Sequence, residues 1–173
     1  TCANRFAKEL TPACMHWADF EMLWLSAHAI RESKDGCGLI FASFSHPLRA
    51  AANVVGVTAL ALDIDGKQAK PPAFDDAIQR LESLGVLAGA WTTYQHKADV
   101  PRYRLLVPLS EPMPPMALPY ALQALADALG LSAFMDSACK DPARLFYAPS
   151  CPESGASEAR VWCRLDAQAL SPH

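Results

Sequence analysis

The fold is decided by the stretch Val54-Val55-Gly56-Val57-Thr58-Ala59-Leu60-Ala61-Leu62-Asp63-Ile64-Asp65-Gly66. Its first nine residues are mostly apolar and include three valines, which is typical of a buried strand. The run ends abruptly at Asp63, so the strand is expected to leave the core there and enter a polar loop. Side chains two apart on a strand share a face, so the carboxylates of Asp63 and Asp65 are expected to point the same way.

Periodic apolar residues on either side of this strand predict the other elements. Thr11-Pro12 and aromatic residues at helical spacing indicate a helix over residues 12–32, and a short strand over 39–44 follows it. Gly85 and Gly130 are expected to end two later helices. The elements predicted after the first core strand are helix 73–84, strands 86–94 and 102–109, helix 118–129, strand 144–148 and a last edge strand over 159–163.

The order strand, helix, strand, strand, helix, strand predicts an α+β fold with a ferredoxin-like split β-α-β core, the arrangement of RNA-recognition-motif (RRM) domains. In that topology the third strand lies between the first two and the fourth flanks the first. We expect one domain, with an N-terminal α/β module over residues 1–53, the RRM-like core over 54–150, and an edge strand and tail over 151–173.

This topology brings the distinctive polar residues to one edge of the sheet. Two acids end the first strand, a histidine follows the second, and two arginines begin the third. Chance placement would scatter such residues over both edges, so their convergence predicts a site. Its candidate members are Asp63, Asp65, His96, Arg102, Arg104, Asp136, Lys140, Asp141 and Arg144.

Paired carboxylates repel unless a cation lies between them, and hard cations such as Mg²⁺ or Mn²⁺ prefer oxygen ligands. Asp63 and Asp65 with a third acid, Asp136 or in reserve Asp141, would form a two-metal site. Two metals can activate an attacking hydroxyl and neutralise a leaving pyrophosphate. The nearby cations would then bind the triphosphate, because arginine forks match phosphate oxygens.

Composition narrows the function further. The 173 residues carry a formal net charge of −3, which argues against a protein that coats nucleic acid by neutralising phosphates. No apolar run reaches the length of a membrane span, and we expect a cytoplasmic protein. The sequence begins at Thr1 rather than methionine, so a longer parent chain is one expectation from the sequence.

The six cysteines occur singly and lack the paired spacing of zinc ligands, so they are expected to be free thiols. Two alternative sets of zinc ligands are Cys14 with His16, and Cys139 with Cys151 and Cys163.

Four segments together resemble one family. They are Leu60-Ala61-Leu62-Asp63-Ile64-Asp65, Thr92-Thr93-Tyr94-Gln95-His96, Arg102-Tyr103-Arg104-Leu105-Leu106-Val107-Pro108-Leu109, and Asp136 with Asp141-Pro142-Ala143-Arg144-Leu145-Phe146-Tyr147-Ala148-Pro149. Over about residues 54–150 they are similar to the archaeo-eukaryotic primase superfamily, specifically the replication primases of plasmids, phages and prophages.

The resemblance implies a DNA-templated nucleotidyltransferase. Metal binding would fall on Asp63, Asp65 and Asp136, and contact with the incoming nucleotide on His96. The family's motif is Ser/Thr-x-His, whereas here Tyr94 stands two residues before the histidine and the small hydroxyl is at Thr93. The implied partners are nucleoside triphosphates, a single-stranded DNA template and a replicative helicase, in the same chain or a separate one.

Two other functions fit parts of the pattern. Haloacid-dehalogenase-like phosphatases also place an Asp-x-Asp after an apolar strand, but within a parallel doubly wound sheet. An RRM-like domain that binds nucleic acid without catalysis would expose basic and aromatic residues and few acids. Trp91 and Tyr147 are expected to pack in the core or at the edge of the sheet rather than to stack on bases.

Overall fold

A sheet forms the centre of the fold. A computed structural model of the protein describes residues 1–4, 6–66 and 69–173. Within them the α-helices are α1 (Trp17–Phe20), α2 (Phe74–Ser83) and α3 (Leu118–Ala128). The strands are, in chain order, β1 (Ala29–Ile30), β2 (Gly38–Leu39), β3 (Ala42–Phe44), β4 (Val54–Ile64), β5 (Ala88–Thr92), β6 (Tyr103–Met113), β7 (Phe146–Tyr147), β8 (Ser150–Cys151) and β9 (Val161–Arg164).

The main sheet has the order β3-β4-β6-β5-β9, and each neighbouring pair is antiparallel. The prediction that the third core strand lies between the first two is confirmed, because β6 separates β4 from β5. The predicted edge strand is also confirmed, since β9 pairs with β5. In this register Asp63 lies opposite Arg104.

The two faces of the sheet are covered by different parts of the chain. Phe74 of α2 packs edge-on against Tyr103 of β6, with ring centroids 5.8 Å apart. Gly89 of β5 lies against Trp17 and Leu25, which belong to the N-terminal segment. Gly89 is paired with Leu106 of β6, and Leu106 and Tyr103 point to opposite faces because an odd number of positions separates them along the strand. Because strand side chains alternate, the N-terminal segment therefore covers the face opposite to α2. Asp63 and Arg104 lie on that N-terminal face.

Both helices of the core form as the sequence predicts, within a residue or two at their ends. Gly85 and Gly130 follow α2 and α3 with φ of +69° and +62°. This left-handed conformation is strained for residues with a Cβ, so glycine is the natural residue to end a helix there.

The helix predicted over 12–32 is wrong in length. Only α1 and a π-helical turn, Glu21–Leu25, are helical in this range. Beyond them, β1 forms a parallel pair with β8, and His28 Nε2 lies 2.7 Å from the carbonyl oxygen of Thr92. Pairing with distant residues therefore overrides the helical spacing of the apolar residues.

The predicted position of the fourth core strand is also wrong. The strand forms as β7, but it pairs with β2 in a separate two-stranded sheet. The edge of β4 is already taken by β3 near its start and by Met135, which bridges Ile64, near its end. The predicted strand over 39–44 is accordingly divided, since β2 and β3 pair with different partners.

The class that these elements form is mixed α and β with an antiparallel five-stranded sheet, in agreement with the predicted α+β class. Strands from the first 53 residues pair with β4, β7 and β8. Among the described residues, no helix is long and apolar enough to cross a membrane.

Candidate active site

A cavity of about 220 Å³ opens where β4 ends and β6 begins. It contains the three acids proposed from the sequence together with four basic side chains. A larger groove of about 680 Å³ lies between the N-terminal segment and β3, but its walls are mostly apolar and carry no carboxylate or guanidinium. The smaller cavity is lined by Lys34, Asp63, Asp65, Thr93, Tyr94, Gln95, Arg102, Arg104, Asp136, Arg144, Tyr147, Ala148 and Ser150.

Backbone pairing brings the third acid to the first two. The N–H of Asp136 donates to the carbonyl of Asp63 at 2.8 Å, and the N–H of Asp65 donates to the carbonyl of Phe134 at 3.4 Å. Residues 134–136 thus run beside the end of β4. Asp136 is therefore next to Asp63 in space although 73 residues separate them in the chain.

The reserve acid has a different role. The side chain of Asp141 accepts a hydrogen bond from the N–H of Ala143 at 2.9 Å, so it stabilises the turn before β7. It does not line the cavity. Of the two alternatives for the third acid, the structure places Asp136 in the cavity.

A buried cysteine supports Asp63 from behind. The N–H of Asp63 donates to Cys139 Sγ at 3.2 Å, and the N–H of Cys139 donates to the carbonyl of Asp136 at 3.0 Å. Burial raises the pKa of the Cys139 thiol to about 12, which keeps the sulfur neutral beside the carboxylates. No sequence pattern indicates this contact, because a lone cysteine is usually only a small apolar residue.

Two arginines neutralise the acids. Arg104 Nε lies 3.2 Å from Asp63 Oδ1, and its Nη2 lies 3.3 Å from Oδ2. Arg144 Nη2 lies 3.6 Å from Asp63 Oδ2 and 3.4 Å from Asp136 Oδ2, so one nitrogen bridges two carboxylates. The side chains of Asp63 and Arg104 are almost completely buried, which shields their ion pair from solvent.

The arginines retain unused hydrogen-bonding capacity. The Nε atoms of Arg102, Arg104 and Arg144 are buried and, within the described residues, have no aligned acceptor. A buried donor without an acceptor is costly, so the Nε atoms of Arg102 and Arg144 suit a ligand that supplies oxygen atoms, whereas Arg104 Nε already lies 3.2 Å from Asp63 Oδ1. All three arginines line the same cavity.

Two of the predicted nucleotide-binding residues lie outside the cavity lining. Lys140 donates to Gln123 on α3 at 3.4 Å. Nδ1 of His96 accepts a hydrogen bond from the N–H of Arg102 at 3.1 Å, closing the loop between β5 and β6. Burial lowers the pKa of His96, which favours the neutral ring. The other predicted nucleotide-binding residues, including Thr93, lie in the lining.

The cavity also contains residues that sequence reasoning missed. Lys34 comes from a loop that is held over the site by Tyr94, whose hydroxyl donates to the carbonyl of Arg31 at 3.2 Å. Tyr147 also lines the cavity, and its hydroxyl donates to Asp35 at 2.9 Å. Trp91 is fully buried, as predicted. No sequence pattern near residue 34 indicates the contact, because it depends on how the N-terminal segment folds back.

The residues fit a divalent cation in ligand type. Within the described part of the chain, no three His, Cys, Asp or Glu side chains are already arranged as a metal cage. However, a positively charged nitrogen of Arg144 lies between Asp63 and Asp136, so this point between two hard oxygen ligands already attracts a cation. Asp63, Asp65 and Asp136 would hold the ions.

The sequence profile of the VapE N-terminal domain matches residues 11–172. The chain belongs to the VapE N-terminal domain family. VapE N-terminal domains are associated with phage and plasmid replication, so the resemblance seen in the sequence is confirmed at the level of the family.

A solved structure also resembles this VapE N-terminal domain. It is the AEP domain of the primase-polymerase (PrimPol) of cyanophage S-2L, which aligns with a TM-score of 0.49 and 12% sequence identity. The alignment covers 77% of this chain and 64% of that one. No curated protein matches the sequence.

Proposed function

We propose that this VapE N-terminal domain is the catalytic domain of a replication primase or primase-polymerase, which transfers nucleotides on a DNA template. The observation that carries the proposal is the meeting of Asp63, Asp65 and Asp136 in one cavity with four basic side chains. Nucleotidyl transfer needs both charges in one place, because carboxylates hold metals and cations hold phosphates.

Two Mg²⁺ or Mn²⁺ ions bound there would activate the attacking 3′-hydroxyl and neutralise the leaving pyrophosphate. The three carboxylates hold and orient these ions. The guanidinium groups of Arg102, Arg104 and Arg144 attract phosphate oxygens, and Arg102 and Arg144 add buried Nε atoms that have no aligned acceptor. Thr93 and Lys34 add a hydroxyl and a further positive charge at the rim.

We propose an RRM-like topology for the sheet, which is supported by the strand order β4-β6-β5 and by the packing of α2 against β6. The substrates in this proposal are nucleoside triphosphates and a single-stranded DNA template, with a replicative helicase as partner. His96 and Lys140 would join the nucleotide site only after the loops that hold them rearrange. The haloacid-dehalogenase-like alternative fits poorly, because that class needs a parallel sheet and each pair of strands in this sheet is antiparallel.

The test is synthesis of labelled product on a single-stranded template with Mn²⁺. Asp63→Asn/Asp65→Asn keeps side-chain volume but removes two negative charges, and product formation is expected to fall at least about 100-fold, since even outer partners of metal ligands are worth 10- to 100-fold. The matched control is Asp75→Asn/Asp76→Asn, which removes two exposed acids from the first turn of α2 and should retain activity.

Equal activity of the native chain and the Asp63/Asp65 variant would refute the assigned site. Template binding by the native chain without any product would favour the non-catalytic nucleic-acid-binding function. Melting temperatures of the variants, measured in parallel, separate a lost site from a lost fold.

A further inference from the structure

We propose that Arg144 occupies the place of a divalent cation between Asp63 and Asp136 and leaves when the cation arrives, so that metal and triphosphate bind cooperatively. The inference rests on the proposed function and concerns how the same cavity fills. Arg144 would have two positions: bound to the acids in the empty site, and bound to phosphate in the loaded site.

The geometry marks Arg144 as the movable group. Its Nη2 contacts two carboxylate oxygens, at 3.6 Å and 3.4 Å, but both contacts are longer than an optimal charge-assisted hydrogen bond. Its side chain is 31% exposed. Within the described residues its Nε has no hydrogen-bond acceptor. Few contacts therefore hold the guanidinium in place.

Arg104 offers the contrast. Its side chain is 10% exposed and its Nη1 donates to the carbonyl of Tyr147 at 2.8 Å. Its guanidinium carbon also lies 5.9 Å from the centre of the Phe146 ring. A backbone carbonyl and an aromatic ring hold Arg104 independently of the acids, so it would stay beside Asp63 when the site fills.

Charge balance gives the physical reason for cooperativity. Lys34, Arg102, Arg104 and Arg144 face three carboxylates, so the cavity has a small excess of positive charge before any ligand binds. Divalent cations alone would raise this excess, and a triphosphate alone, with about four negative charges, would reverse it. Together they nearly cancel. Each ligand should therefore strengthen the binding of the other by the same factor.

The experiment measures the two ligands separately. Binding of Mn²⁺ alone is followed by the loss of the free-ion signal in electron paramagnetic resonance. Binding of a labelled deoxynucleoside triphosphate alone is followed by equilibrium dialysis in EDTA. Compared with the native chain, Arg144→Gln is expected to bind Mn²⁺ about tenfold more tightly and the triphosphate about tenfold more weakly, within the usual range of coupling between sites.

The opposite signs are diagnostic, because a damaged fold would weaken both ligands. Arg144→Lys, which keeps the charge, should bind Mn²⁺ nearly as the native chain does. The matched control is Arg164→Gln. Arg164 ends β9, is paired with Asp166 and does not line the cavity, so its replacement should change neither affinity.

If Arg144→Gln binds Mn²⁺ no more tightly than the native chain does, Arg144 is not displaced by the cation. That result would not contradict the proposed metal site. Mn²⁺ binding that is unchanged in Asp63→Asn/Asp65→Asn would instead remove the metal site itself, and with it the proposed function. The two failures are thus distinguishable in the same titrations.

Discussion

Cys139 contributes to the site through position rather than reactivity. Its side chain is buried, and its sulfur accepts the backbone N–H of Asp63, the residue on which both arginines converge. At this point β4 needs an acceptor for a buried N–H, since an unsatisfied one would cost about 1–3 kcal/mol. The short 3-10 turn Ser137–Lys140 supplies it while its N-cap, Asp136, reaches into the cavity.

Replacing Cys139 by alanine is expected to lower the free energy of unfolding by about 1–3 kcal/mol, because the N–H of Asp63 loses its acceptor. Urea unfolding at neutral pH measures the change. Cys14→Ala is the control, since Cys14 is exposed and such surface changes usually stay within about 0.5 kcal/mol. Equal unfolding free energies for the two variants would show that the sulfur contact contributes nothing.

At the scale of elements, the helical turns at residues 17–25 sit on the sheet because β5 has no side chain at position 89. A Cβ on Gly89 would lie 2.5 Å from Leu25 Cδ1 and 3.2 Å from the ring of Trp17. Leu25 is 2% exposed, so it has little room to move. The close approach of these turns to β5 is therefore specified by a glycine in the strand.

Gly89→Ala is expected to destabilise the protein by about 1–3 kcal/mol through overpacking against Leu25 and Trp17. The same substitution at Gly155, where the nearest atoms are those of Pro152 at 3.3 Å, should change stability by less than about 0.5 kcal/mol. Chemical unfolding of both variants tests the difference. A tolerated Gly89→Ala would mean that the helical turns are free to shift on the sheet.

At the scale of the whole molecule, His28 joins the N-terminal segment to the end of β5. Its Nε2 lies 2.7 Å from the Thr92 carbonyl, and the neutral ring can donate to that oxygen. Burial lowers the pKa of His28 below its ordinary value of 6.5. Hence the unfolded chain binds a proton more readily than the folded protein does.

The stability that neutral His28 contributes is complete above about pH 6.5 and is lost as the pH falls below that value. The melting temperature of the native chain should therefore drop between about pH 7 and pH 5, and His28→Gln, which cannot be protonated, should drop less. His46→Gln, at an exposed histidine, is the control and should follow the native profile. Parallel profiles for His28→Gln and the native chain would contradict the link.

The sequence by itself determined the parts of the molecule that depend on local pattern. The apolar run of β4 predicted a buried strand ending in Asp63 and Asp65, and the spacing of apolar residues predicted α2 and α3. The short polar link before Arg102 predicted the antiparallel neighbours β5 and β6. These features follow from the period of a strand or a helix, which a sequence displays directly.

Tertiary structure alone decided the features that depend on distant backbone pairing. In the folded chain Asp136, rather than Asp141, lies beside Asp63, and Lys34 and Tyr147 line the cavity. Strand β7 pairs with β2 instead of β4. Periodicity carries no information about which strand edges are already occupied, and those edges settle where a later segment can pair. The set of residues that lines the cavity therefore depends on the tertiary structure, although Asp63 and Asp65 could be identified from the sequence.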